Sequence, residues 1–291
     1  MYGNKHGIHG TTHGIVWNKK MAHKTLKFDK YKKAGGKGIY DRGVLSITLD
    51  EWDEFYHEIR RFRGYRDYVW RGQRCGYPEW ELKARFDRSH KYKNEDERES
   101  VLDKHYDAFR KAVRGRRGPN PPELKENDLW AIGQHNSLST PLLDWTESPF
   151  VAAYFAFVEE AERSDDKLSK RVVYALNRDI KRWYRRVSGS SEKEYFIEFP
   201  EIEAHENIRF LAQAGVFTKA LKGQDVKRRV QKSYNENNHR NRIGLAEIMI
   251  PESQRIKCLM DLNQMNINHA SLFPDIYGSA IFCNLKLEID K

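Results

Sequence analysis

The alternation of apolar and polar positions divides the chain into short segments with two periods. Leu45, Ile47 and Leu49 alternate with polar residues, as in a half-buried strand. Asp50 then reads as the N-cap of a helix over 51–62, with Trp52, Phe55, Tyr56 and Ile59 on one face. Residues 68–73 (YVWRGQ) read as a second strand. Residues 79–113 read as mainly helical and highly charged, 115–122 (GRRGPNPP) as an exposed breaker, and 123–134 as a further helix. Residues 138–146 are expected to be extended. Ser148-Pro149 then opens a buried helix over 150–160, with Pro in the first turn, where its missing N–H is harmless.

Strands follow over 172–176, 195–199 and 243–250, the last ended by Pro251, and helices over 253–265 and 276–286. Residues 222–242 form a long polar, basic stretch. Residues 1–38, rich in Gly, His and Lys, hold neither period and read as a basic flexible arm, leaving one domain over 39–291. Strands and helices mix without a regular βαβ repeat. The expected fold is therefore α+β, a split mixed β-sheet core flanked by helices.

Composition supports a folded chain. Its 291 residues suit one large domain, and an aromatic content of 12% argues against disorder. The charge is +10 but uneven: residues 1–37 hold nine Lys and one acid, Asp29. A basic arm beside a nearly balanced remainder predicts a polyanionic partner, nucleic acid first. An acidic antitoxin protein and a merely solvated tail are the other readings. Cys75, Cys258 and Cys283 are an odd three without C-x-x-C, as in a reducing compartment. His6, His9, His13 and His23 lack the Cys or carboxylate spacing of a metal site, so no metal is expected. Residues 1–30 hold no apolar signal-like core, and the longest apolar run, 150–158, is too short to span a bilayer. A cytoplasmic protein without a membrane partner is expected.

The chain has no P-loop, no G-x-G-x-x-G, no G-x-S-x-G and no H-E-x-x-H, which argues against kinases, α/β-hydrolases and zincins. Four groups of residues carry the chemistry. They are Trp70-Arg71-Gly72-Gln73; Gln134-His135 with residues 141–146 (PLLDWT) and Ser148-Pro149; Arg209 with Gln213-x-Gly215-x-Phe217; and Leu272-Phe273-Pro274-Asp275. Together they resemble the FRG domain family, in order, over about residues 40–286.

More distantly, the series resembles the ADP-ribosyltransferase fold, which arranges three strand-borne elements around NAD. The resemblance implies that Arg71 engages NAD and that Asp144-Trp145-Thr146 leads into the helix carrying Tyr154. It also implies that Glu247, in Glu-Ile-Met-Ile-Pro251, is the carboxylate of the late strand. It departs from that fold where Ser-Thr-Ser would stand and at Leu245, two positions before Glu247. The implied site holds Arg71, Glu247 and Asp144 as catalytic residues. Arg71, Gly72, Gln73, His135, Thr146, Tyr154 and Gln213 are the implied NAD-binding residues.

The chemistry suits these types. Breaking the nicotinamide–ribose bond builds positive charge that a carboxylate stabilises. Arg presents a rigid fork of donors to a pyrophosphate. Trp70, Trp145 and Tyr154 offer rings for stacking. The expected function is NAD-dependent ADP-ribosyl transfer to nucleic acid, RNA before DNA, as the toxin of an antiviral or toxin–antitoxin system. An NAD hydrolase and a non-catalytic nucleic-acid-binding module are the alternatives.

Each residue also has a plain structural reading. Arg71 suits a strand-end ion pair, Glu247 an exposed strand position, and Asp144 a helix cap or a partner of Arg71. His135 suits a satisfied structural histidine, and Gln213 and Phe217 core or turn positions.

Overall fold

The computed structural model describes residues 25–64, 67–76, 80–119, 121–160, 170–180, 197–203, 208–237 and 241–290. Among the described residues eight strands form one mixed sheet: β1 (Ile39–Asp41), β2 (Val44–Thr48), β3 (Tyr68–Gln73), β4 (Leu142–Thr146), β5 (Lys170–Asn177), β6 (Ile197–Glu198), β7 (Gly215–Ala220) and β8 (Leu245–Pro251). Their order is β1-β2-β8-β5-β3-β4-β7-β6. β2 and β8 run parallel, and every other neighbouring pair is antiparallel. The α+β class and the mixed sheet thus stand as the sequence predicts.

Alternation sends successive side chains to opposite faces, and each face has its own cover. One core joins Ile47, Trp70, Val173, Ala175, Ile248 and Ile250 to helices on that face. Those are α2 (Asp53–Phe62), α6 (Pro149–Phe157) and α9 (Arg255–Gln264). On the other face Val69, Trp145, Tyr174 and Leu245 meet α8 (Val226–Asn237). A third core gathers Leu142 and Phe217 against α3 (Arg85–Ser89), α4 (Glu95–Ala112) and α5 (Glu126–His135). β5 is buried from Arg171 to Asn177 because its sheet neighbours and both helical layers cover it. Also described are α1 (Phe28–Lys33), α7 (Ile208–Ala212), α10 (His269–Leu272) and α11 (Ile276–Ile289). Among the described residues no helix is long and apolar enough to cross a membrane.

The fold corrects four expectations. The arm does not reach residue 38. From residue 25 the chain is built into the domain, with Leu26 and Tyr31 buried and the Tyr31 hydroxyl donating to Glu58 at 3.1 Å. Leu26, Phe28 and Tyr31 anchor a segment that its lysines make look solvated. Residues 1–24, and the histidines they carry, lie outside the described residues.

Asp50 is not the N-cap of α2. The helix starts at Asp53, and the Asp50 N–H donates to Glu54 at 2.9 Å. The polar stretch 222–242 contains α8, whose Val226, Val230 and Tyr234 recur every fourth residue and are buried. Finally, 215–220 is a strand where no element was expected, and Phe217 on it is a core residue, as its plain structural reading had it.

Candidate functional site

The sheet has a seam. β3 and β4 are paired at one position only, Trp70 opposite Thr146, whereas β3 and β5 pair at six. Away from that position the two strands have no ladder, and a cavity of about 360 Å³ opens beside them. That volume is in the usual range for small-molecule sites. β3 supplies Trp70, Arg71 and Gly72, β4 supplies Asp144, Trp145 and Thr146, and α5 supplies Gln134 and His135. The far wall is Arg209, Phe210, Gln213, Phe217 and Phe273.

Arg71 and Asp144 sit side by side across the seam. Arg71 Nη1 donates to the Asp144 carbonyl at 2.8 Å and stands 3.9 Å from Asp144 Oδ2. The Nε of Arg71 is buried and has no hydrogen-bond partner among the described residues. Burial pushes the Arg71 pKa below the usual guanidinium range; Asp144 opposes this and Arg88 adds to it. Arg88 is lowered likewise, first by burial and then by Arg85, with Asp144 opposing. A guanidinium stays protonated regardless. Arg71 and Arg88 thus both act with the Asp144 carboxylate, the buried Nε of Arg71 is left over, and such a pair attracts an anion able to accept from several N–H groups.

The far wall is held by an ion pair. Arg209 donates to Asp275 from both Nε (2.9 Å) and Nη2. The Arg209 guanidinium also lies 5.3 Å from the Phe273 ring centroid. Asp275 caps α11 through Gly278 N–H at 2.7 Å, and this bond, then Arg209, holds its carboxyl below the usual range. Phe273 stacks on His269 at 4.3 Å, and Phe210 on Phe217 at 5.1 Å. Gln213 ties β4 to this wall: its carbonyl accepts from Thr146 Oγ1 at 2.7 Å, and its Nε2 donates to Leu272 O at 3.2 Å. His135 is held below the ordinary histidine pKa, first by burial and then by Arg209, with Asp275 opposing.

Six expected site residues therefore meet here: Arg71, Gly72, His135, Asp144, Thr146 and Gln213. Three do not line the cavity. Gln73 points away from Gly72 by strand alternation; it is 2% exposed and its amide has no partner among the described residues. Tyr154, on α6, is in the core, sharing a 2.9 Å hydrogen bond with His269 Nδ1. Glu247 stands in one cross-strand row with Arg71, because Tyr174 pairs with both. Its carboxylate is nevertheless two strands away and already engaged, with Lys227 at 2.8 Å and Ser46 at 3.0 Å. The carboxylate that lines the cavity is Asp144. Gly72 also has a different reason from close ligand approach. A side chain there would collide with α6, since a Cβ would stand 1.8 Å from Ala152 O.

Sequence reasoning missed Arg88, which stands on a separate helix, α3, and acts electrostatically on Arg71 and with Asp144. Arg209 and Phe273 lay inside the quoted motifs, and their placement in the third and fourth groups was the available signal.

With this geometry in place, residues 66–165 match the family model of the FRG domain. The match holds β3, β4, α6 and both Arg71 and Asp144. It is shorter than the 40–286 over which the motifs extend. No curated protein and no solved structure matches the chain significantly.

Proposed function

For a chain that carries an FRG domain over residues 66–165, we propose that the seam cavity binds NAD and that the protein transfers its ADP-ribose to nucleic acid, RNA before DNA. One observation carries this reading. A guanidinium with a buried, unsatisfied Nε stands beside Asp144, among the described residues the one carboxylate that lines this ring-lined cavity sized for a small molecule.

In this reading Arg71, with Arg88 near it, holds the pyrophosphate through its free donors. Phe155, Phe210 and Trp145 offer ring faces to the flat heterocycles. When the nicotinamide–ribose bond breaks, its electron pair leaves with nicotinamide and positive charge builds on the ribose. Asp144 stabilises that charge and takes the proton of the attacking acceptor group. Depressed basicity keeps His135 neutral near pH 7, so one ring nitrogen can accept a hydrogen bond. The net charge of +10 supports a polyanionic acceptor, and an activity that modifies RNA fits a toxin restrained by an acidic antitoxin in the cytoplasm.

A second reading has its own support. The Asp144 side chain is 60% exposed, which lets water reach it and favours NAD hydrolysis. The fate of labelled NAD separates the two. ADP-ribose attached to RNA supports transfer, and free ADP-ribose supports hydrolysis. Intact NAD with every acceptor tested, and no thermal protection by NAD, leaves a binding module. Asp144→Asn is expected to lower turnover by about 100-fold or more, in line with loss of one general base.

A further inference from the structure

We propose that a second cavity, outside the seam, seats an unpaired base of a single-stranded nucleic acid. The proposal builds on the nucleic-acid part of the reading above and needs no NAD chemistry. The cavity measures about 410 Å³ and lies where the end of α2 meets β3 and the start of α6. Tyr56, Phe62, Tyr68, Trp70 and Phe150 are among the residues that line it, the middle three buried and packed on one another as its floor. Tyr56 and Phe150 are only half-buried, which leaves ring surface for a ligand.

Two further lining residues, Arg60 and Arg63, are exposed and form no ion pair among the described residues. Among the described residues the one acid on the wall, Glu147, is taken by Arg178 at 3.0 Å. The cavity therefore pairs flat apolar walls with two unanswered cations at its rim. Single-stranded nucleic acid asks for this combination, rings under the bases and charge along the phosphates. Trp70 belongs to the walls of both cavities, so a strand held in the second is delivered next to the first.

The test measures binding of the full chain to a labelled single strand of about ten nucleotides over a range of salt. Arg60→Ala/Arg63→Ala removes two exposed cations and is expected to weaken binding about tenfold. If each arginine neutralises one phosphate, the slope of log affinity against log salt falls by about 1.4. Lys104→Ala/Lys111→Ala removes the same charge from exposed positions on α4 and is expected to leave the slope unchanged. A photoreactive uridine that crosslinks to the peptide holding Tyr56 or Phe150 adds support. Equal losses in the two double variants would mean diffuse attraction and overturn the proposal. So would unchanged binding in the first variant, or competition as strong from NAD or from an acidic peptide. A protein that binds through Arg60 and Arg63 but consumes no NAD keeps this site and loses only the catalytic reading.

Discussion

A methyl group at position 72 would stand 1.8 Å from Ala152 O and 2.6 Å from Ala156 N, both backbone atoms of α6. Neither can yield without moving the helix off the sheet. Gly72→Ala is therefore expected to destabilise the chain by more than about 3 kcal/mol, read from denaturant midpoints. Glu247→Gln tests the opposite kind of residue. It weakens a charge-assisted contact to Lys227 and is expected to cost about 2 kcal/mol in stability while leaving NAD turnover in place. Loss of turnover with full stability would return Glu247 to the chemistry.

His269, nearly buried against Phe273, has its pKa lowered chiefly by burial. The folded chain keeps it neutral where the unfolded chain takes up a proton. Its stabilisation is then complete above the unfolded value, about 6.5, and is lost as pH falls below that toward the folded value. Melting temperatures measured at about pH 7.5 and about pH 5.5 should differ less in His269→Asn than in the parent chain.

At the scale of elements, α6 is fixed at its end by two buried arginines. Arg171 donates to Ala156 O and Glu159 O, and Arg255 donates to Phe157 O and Val158 O, so the last carbonyls of the helix meet positive charge. Glu252 answers Arg171, which is 1% exposed. Glu252→Ala leaves that cation buried and is expected to cost about 3–5 kcal/mol in chemical unfolding.

β2, β3, β5 and β8 were legible because apolar residues run through them with strand spacing. α8 was not, because Val226, Val230 and Tyr234 are separated by Lys, Arg and Gln that dominate any composition reading. The near bank of the site was legible for the same reason as β3, since Arg71 and Asp144 stand on apolar strands. The far bank depends on Arg209 meeting Asp275 across 66 residues, a tertiary pairing that no local pattern encodes. Glu247 was misplaced because spacing along a chain does not reveal how many strands will stand between two residues.

The whole molecule is a sheet of two unequal parts. Five strands from β1 to β3 share continuous ladders, as do the three from β4 to β6, and one residue pair joins the parts. α5 and α7 contribute to the cavity beside the smaller part, while α6 backs the larger. A compound lodged in the cavity touches both parts at once.

That single stitch sets how occupancy would be felt. With so few backbone bonds across it, the line between Trp70 and Thr146 is where the sheet can breathe most cheaply, and a guest lodged there acts as a clasp. Amides on both margins, in β3 on one side and β4 on the other, should then slow their hydrogen exchange together on addition of NAD. Slowing confined to one margin would mean that the guest rests against a wall and does not close the gap.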